Sequence, residues 1–317
     1  MQSPILERMK AVLVAIASVL FGVGVLGACK SDSAGGPADA APDPVDSANA
    51  EGWTALIGRS WTLPIGATNT YRCTRIRVDN DMWIAGFRAA APLGTHHAVL
   101  TISSAGGQVG DYDCGAGSLD TQMLYAAGVG TDDLLFPPGV AMHLPAGTFI
   151  NLNLHLFNAT DNPLANSSGV LARVVQPADV VHEADMMFSG TFAINIPNDG
   201  QRHTAQGGCT APTDWHIFTL WPHMHQTAVH QTWTLAHGGT VTALIDDDFL
   251  FEEQRNYPIA DTLIRKGDVI NTVCTYINNT KTTMTWGDGS DREMCFTGMY
   301  KYPAGGSLFQ CTGGPRL

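Results

Sequence analysis

The chain is short of basic residues, with 17 Lys and Arg against 29 Asp and Glu and a formal net charge of -12. Because no basic stripe runs along any segment, the sequence argues against a nucleic-acid partner. Acidity of this size favours solubility and a mild attraction for cations.

Helical periodicity is also nearly absent. Short runs of alternating apolar and polar residues recur instead between Gly, Pro, Asn and Asp, which predicts an all-β protein. We expect two tandem antiparallel β-sandwich domains, jelly-roll-like, facing each other across a cleft. The best boundary is Gln176-Pro177-Ala178-Asp179, which assigns residues 51–176 to the first sandwich and 177–317 to the second.

The cysteines lack any C-x-x-C spacing, which argues against the competing interpretation of a cysteine metal site. An even number remains once Cys29 is set aside, and in an exported chain this predicts disulfides. The sequence by itself leaves their connectivity open. These cysteines are Cys73, Cys114, Cys209, Cys274, Cys295 and Cys311.

The amino terminus is typical of an export signal over residues 1–28, because two basic residues precede an almost uninterrupted apolar run. Leu26-Gly27-Ala28-Cys29 resembles a bacterial lipobox, so Cys29 is expected to carry a lipid anchor. Residues 30–50 have no aromatic residue and form a flexible tether after Cys29. We therefore expect an exported lipoprotein held at the outer membrane or cell surface. An ordinary cleaved signal and a single membrane anchor are the alternatives.

Six side chains of the folded part are soft or borderline metal ligands, and they fall into two sets along the sequence. A neighbouring histidine pair and a third histidine make one set, and a His-x-His with a methionine makes another. Because a thioether is a good ligand for copper(I), the second set argues for copper over zinc. Without its partners the methionine would be interpreted as a core residue. The sets are His96, His97 and His155, and His223, His225 and Met294.

Strand geometry explains how these residues could converge. Residues 150–157 alternate so that leucines share one face and His155 lies on the other. His223 and His225 are two apart and can point at one ion, and Pro222 predicts a strand edge or end there. His96 and His97 would diverge on a regular strand, so they need a strand end or a bulge.

In the order and setting of these ligands, the chain resembles the ascorbate-dependent type II copper monooxygenases. Thr95-His96-His97, Asn153-Leu154-His155, His223-Met224-His225 and the segment 291–296 around Met294 carry the resemblance. The resemblance implies two copper ions: an electron-transfer copper on the three-histidine set, and an oxygen-binding, catalytic copper on His223, His225 and Met294. It also implies hydroxylation of a C–H bond with dioxygen and a donor such as ascorbate.

The same resemblance implies a disulfide pairing, in which Cys295 would fix the position of the residue next to Met294. A covalent link there would limit the drift of a ligand that binds weakly by itself. The implied pairs are Cys73–Cys114, Cys209–Cys311 and Cys274–Cys295.

The substrate side departs from the peptide-amidating members of the family. Trp221, Phe296 and Gly298 stand where those members hold a peptide carboxylate, so a small apolar or aromatic substrate is the better expectation. Trp221 and Phe296 are then possible substrate contacts, and Asn153 could add a polar one. A non-catalytic copper-binding or copper-delivery lipoprotein and a zinc hydrolase stay open as alternatives.

An acidic run, Asp246-Asp247-Asp248, is followed by Glu252-Glu253. Its spacing does not follow a calcium-binding loop, so it is interpreted as a solvated turn.

Overall fold

The computed structural model describes residues 52–314, apart from residues 121, 129 and 252. This part of the chain is built from β-strands, with one short 3-10 turn at Pro177–Asp179, so the all-β prediction is confirmed. No helix in it has the length and apolar character to cross a membrane. The export signal, Cys29 and the tether lie outside the described residues.

Strands β1 to β10 precede the 3-10 turn. Their bounds are β1 Thr54–Leu63, β2 Thr70–Arg77, β3 Met82–Ala90, β4 Thr95–Ser103, β5 Gly110–Asp113, β6 Gln122–Gly128, β7 Leu134–Leu135, β8 Val140–Leu144, β9 Phe149–Leu156 and β10 Leu164–Val175.

Strands β11 to β21 follow the turn. Their bounds are β11 His182–Thr191, β12 Asn195–Ile196, β13 Arg202–Thr210, β14 Trp215–His223, β15 Ala228–His237, β16 Thr240–Asp248, β17 Tyr257–Ile264, β18 Val269–Ile277, β19 Met284–Thr285, β20 Cys295–Tyr302 and β21 Cys311–Thr312.

One long sheet runs through both halves in the order β1-β10-β3-β8-β11-β20-β14-β17. In the first half a five-stranded sheet, β5-β2-β9-β4-β6, packs on it, and in the second half a four-stranded sheet, β13-β18-β15-β16, does so. Buried side chains connect the layers: the Oγ of Ser168 on β10 lies 2.6 Å from Thr95 Oγ1 on β4. In the second half, Trp233 Nε1 donates to Ser189 Oγ at 2.9 Å.

The halves meet where β8 pairs in parallel with β11. The largest hydrophobic core lies mainly in the first half but includes buried aromatic residues of the second, such as Phe218 and Tyr300. Gln176, at the expected domain boundary, caps the 3-10 turn just before β11. The division at residue 176 stays a prediction.

The described part of the chain contains three disulfides, and they are the pairs that the family resemblance implies. Cys73–Cys114 lies in the first half. Cys209–Cys311 and Cys274–Cys295 both stay within the second half.

The interpretation of the acidic run as a turn was wrong for its first part. Asp246, Asp247 and Asp248 form the exposed end of β16 and pair with β15. Their charges are tolerated because this strand is the outer edge of its sheet and faces solvent.

Candidate metal site

A bulge positions the first histidine pair. Along β4, His97 and the residues after it pair regularly with β9, and His97 lies opposite His155. The register shifts by one residue between Thr95 and His97, so His96 has no partner of its own on β9. The extra residue at His96 lets two consecutive side chains leave the strand on the same side. The expectation of an irregular strand at His96 and His97 is thus confirmed.

The three histidines of this set come together. His96 Nδ1 and His97 Nδ1 lie 3.1 Å apart, and one ring nitrogen from each of the three lies within 4.8 Å of the others. His155 Nε2 donates to Asn69 Oδ1 at 3.2 Å, which leaves His155 Nδ1 buried and without a partner in the described structure. An unpaired nitrogen lone pair beside two other imidazoles is the arrangement that a metal ion would satisfy.

Burial and neighbouring charges favour the neutral, metal-ligating form of two of these rings, His97 and His155, by lowering their pKa values. Burial, followed by the charges of His96 and His225, lowers the pKa of His155 to about 4. Burial also lowers the pKa of His97 well below its usual range, with help from the neighbouring histidines. Because only a neutral imidazole has a lone pair to give, the lowered pKa values favour ligation near neutral pH.

The second set lies at one edge of the long sheet, where β14 ends and the neighbouring strand β20 begins. His223 is the last residue of β14 and His225 lies in the loop just beyond it, while Met294 directly precedes β20. Residue Pro222 pairs only with β20, because the pairing of β14 with β17 ends at Leu220. The strand end predicted at Pro222 is confirmed.

Hydrogen bonds orient both rings of the His-x-His. His223 Nδ1 donates to Gln254 Oε1 at 2.7 Å, and His225 Nδ1 donates to the Arg292 carbonyl at 3.1 Å. With Nδ1 protonated in each ring, Nε2 is the nitrogen that remains for a metal. Burial, then the charge of His225, lowers the pKa of His223 to about 3.

Glu293 is a buried carboxylate between the ligands of this set, with no exposed surface. Its oxygens accept hydrogen bonds from the backbone N–H groups of His225, Thr227 and Met294 and from the Thr227 hydroxyl. Burial raises the pKa of Glu293, although these donors oppose the shift. The side chain therefore joins the loop that carries His225 to the segment that carries Met294.

Both sets adjoin one small, partly enclosed cavity of about 60 Å³. His97 lines it from the first half, and His223, His225 and Met294 line it from the second. The remaining wall is mostly apolar, with Val99, Leu119, Met123, Trp221 and Phe251. The sequence predicted a cleft between the two halves, and this cavity is lined by residues from both of them.

Phe251 lies between the two ligand sets. Its ring centroid is 4.9 Å from that of His96 and 6.1 Å from that of His225. Gln254, three residues on, reaches the first half, because its carbonyl accepts from Thr131 Oγ1 at 3.0 Å. Phe251 and Gln254 thus line the cavity from one side.

The possible substrate contacts are placed differently from one another. Trp221 lines the cavity, stacks on His223 at 4.7 Å, and has a buried Nε1 with no hydrogen-bond partner among the described residues. Asn153 also lines it, and its Nδ2 donates to the Gly115 carbonyl at 3.0 Å. Phe296 is instead buried against Phe188 and is absent from the cavity wall.

Several contributors to the site gave no recognisable signal in the sequence. Phe251 and Gln254 belong to a connection between strands whose path the local pattern does not define. Tyr71 stacks flat on His155 at 4.5 Å because β2 pairs with β9. Glu293 was visible beside Met294, but its role depends on a partner loop 66 to 68 residues away.

Fold and site together define an all-β protein with two unequal sets of side chains that are able to bind a metal ion, both beside one cavity. The donors fit copper, since imidazole suits both of its common oxidation states and a thioether favours copper(I). Residues 182–313 match the family model of the copper type II ascorbate-dependent monooxygenase C-terminal domain. This part of the chain therefore belongs to the copper type II ascorbate-dependent monooxygenases.

Solved structures give only remote likenesses. The VP2 subviral particle of infectious bursal disease virus is 11% identical, with 79% of this chain and 72% of that chain covered and a TM-score of 0.20. The T13 particle of the same virus is 12% identical, with 83% and 77% covered and a TM-score of 0.19. Likenesses at this level carry no argument about fold or function.

Proposed function

We propose that the protein is a copper-dependent monooxygenase that hydroxylates a C–H bond of a small apolar or aromatic molecule, using dioxygen and a one-electron donor such as ascorbate. The observation that carries this proposal is the presence of two chemically different ligand sets against one partly enclosed cavity, whose wall is largely apolar but also includes Asp288 and Ser290. A single storage site would need neither the second set nor the cavity.

The two sets suit different tasks. His96, His97 and His155 would hold an electron-transfer copper, because three imidazoles serve both oxidation states with little rearrangement. His223, His225 and Met294 would hold the oxygen-binding copper, with three protein ligands that leave a position open. Copper, when bound, would supply one-electron redox chemistry and the activation of dioxygen.

The residues of the cavity would bind and orient the substrate. Val99, Leu119 and Met123 offer an apolar wall on one side, and Trp221 offers a ring on the other. The unpaired Trp221 Nε1–H would donate to an acceptor atom of the substrate, since a buried donor gains from being paired. The small volume excludes water around the reacting C–H bond.

Substitution of Met294 by Ile tests the proposal, because it removes the thioether and keeps an apolar side chain. We expect oxygen-dependent turnover with ascorbate to be lost while the protein stays folded by circular dichroism. Met82→Ile is the matched control, since Met82 is, like Met294, a partly buried methionine packed against the first core, but it lies on β3 outside the cavity lining. Unchanged turnover in Met294→Ile would contradict the proposal.

The second candidate is a non-catalytic copper-binding or copper-delivery lipoprotein, favoured by the loss of the carboxylate clamp at Trp221, Phe296 and Gly298. Oxygen uptake coupled to ascorbate oxidation, measured with and without apolar candidate substrates, separates the two. If two copper ions bind and no compound couples reduction to hydroxylation, the binding function is favoured.

We also propose that the chain is exported and anchored to the outer membrane or cell surface through lipid on Cys29. Labelled palmitate should be incorporated into the wild-type protein and not into Cys29→Ser. Equal labelling of both would exclude this anchor.

A further inference from the structure

A second space, the outer groove, lies beside the three-histidine set. It has a volume of about 600 Å³ and is much more open to solvent than the cavity between the ligand sets. Its polar lining residues are His96 and Gln226. The rest of its wall is apolar: Phe157, Ala228, Val229, Phe249, Leu250 and Phe251.

The three-histidine set therefore faces two different spaces. His97 lines the enclosed cavity, and His96 lines the outer groove. In the groove the His96 ring touches two phenyl rings, with centroids 4.9 Å from Phe251 and 5.8 Å from Phe157. A flat ring bound there would lie beside a metal ligand without entering the enclosed cavity.

Charge restricts what would bind in the groove. None of its lining residues carries a formal charge, apart from any proton on His96. Asp247 and Asp248 lie at its flank, in a neighbouring depression that Phe249 and Leu250 share and that the paired Glu253 and Arg255 also line. An anionic donor such as ascorbate finds no cation in the groove lining itself, whereas a neutral aromatic molecule gains from the apolar wall.

We propose that the outer groove is the binding site for the reductant, and that it takes a neutral aromatic two-electron donor of the hydroquinone class. The inference rests on the proposed function, since it assigns the entry point of the electrons that reaction requires. The hydroquinone gives up two electrons and two protons and becomes the quinone. The ligand sets would hold copper(II) ions that each take up one of the two electrons, His96 would be the contact between the bound ring and the three-histidine set, and the protons would leave through the open groove.

Binding to the metal-free protein tests the site separately from catalysis. The probe is 1,4-dimethoxybenzene, a neutral ring that cannot donate electrons in this way. We expect it to shift the NMR signals of the Val229 and Leu250 methyl groups. Leu250→Arg should abolish these shifts, because it places a charge in the apolar groove.

Val241→Arg is the matched control, because Val241 is 56% exposed and Leu250 is 57% exposed. Val241 lies on β16 outside the groove lining, so its substitution adds the same charge elsewhere. Both residues are mostly solvent-exposed, and we expect both variants to fold. Shifts confined to Val99 and Leu119, in the enclosed cavity, would overturn the assignment, as would an absence of shifts.

Reduction of the copper-loaded protein gives the second readout. In stopped-flow measurements with methylhydroquinone, Leu250→Arg should slow the reduction of copper(II) by about tenfold or more, equivalent to about 1.4 kcal/mol of lost interaction. Val241→Arg should leave the rate unchanged. With ascorbate, Leu250→Arg should leave the rate unchanged or raise it, because the new charge attracts the anion. Equal slowing with both donors would overturn the proposal.

The two levels of inference fail separately. If the ring binds in the groove and no substrate is ever hydroxylated, the groove assignment stands and the monooxygenase proposal fails. If hydroxylation proceeds with ascorbate and no neutral ring binds in the groove, the monooxygenase proposal stands and this inference fails.

Discussion

The carboxylate of Glu293 accepts a hydrogen bond from the backbone N–H of His225 at 2.9 Å. The same oxygen accepts from Met294 N at 3.3 Å, so one buried atom fixes the backbone of two residues of the second ligand set. The other oxygen accepts from Thr227 N and Thr227 Oγ1, each at 2.7 Å. The positions of His225 and Met294 therefore depend on Glu293, which is not expected to bind the metal itself.

Replacing Glu293 by Gln should weaken this arrangement, because one acceptor oxygen becomes an amide group that faces backbone donors. We expect the free energy of unfolding to fall by about 1–3 kcal/mol for the buried donors left unpaired. Copper(I) affinity at the second set should fall as well, while the three-histidine set is unaffected. Chemical denaturation and copper(I) competition titrations measure the two effects. Glu183→Gln, at an exposed position on β11, should change neither.

Gly298→Ala should disturb Trp221, which pairs with Gly298 across β14 and β20. A methyl group there would clash with Met186 Cε and lie 3.2 Å from Trp221 Cε3. We expect a loss of about 1–3 kcal/mol in the free energy of unfolding, together with a shift in tryptophan fluorescence. Gly115→Ala is the control, since a Cβ at Gly115 has no neighbour within 4 Å. Wild-type stability in Gly298→Ala would contradict this packing.

Removal of the disulfide between Cys274 and Cys295 should affect the methionine next to it. Cys274 and Cys295 are 21 residues apart. For a loop of that size, replacing both cysteines by Ala should lower the free energy of unfolding by about 3 kcal/mol. Without the link, X-ray absorption of the copper(I) protein should show a weaker copper–sulfur contribution. Removal of Cys73–Cys114, in the other half, should reduce stability but preserve that signal.

The ion pairs of His230 with Asp246 and Asp248 predict an effect of pH on stability. Burial lowers its pKa, but the bonds and charges of Asp246 and Asp248 outweigh this, and the net shift is upward. A raised folded-state pKa contributes stability that is fully present below the unfolded value of about 6.5 and is lost as the pH rises through the folded value. The difference in unfolding free energy between wild type and His230→Gln should therefore shrink from pH about 6 to about 8. A difference that grows over this range would exclude the ion pairs.

Strand-level features of the site were accessible from the sequence because they depend on neighbours along the chain. The alternation around His155, the irregularity at His96 and the strand end at Pro222 all follow from local geometry. Contacts that depend on distant segments were not accessible. Phe251 meets His96 only because the connection after β16 crosses to the first half, and Phe296 is in the core because β20 is central in the sheet.

Among the described residues, Phe251 alone lines both the cavity between the ligand sets and the more open groove beside His96 and Phe157. The two spaces therefore cannot be redesigned independently through this position, because a smaller residue would merge them and a larger aromatic residue would narrow both. A variant intended to admit a bulkier substrate should be built at Val99 or Leu119, which line the cavity alone. Laboratory evolution for new substrates should accumulate changes at those two positions and retain the phenylalanine.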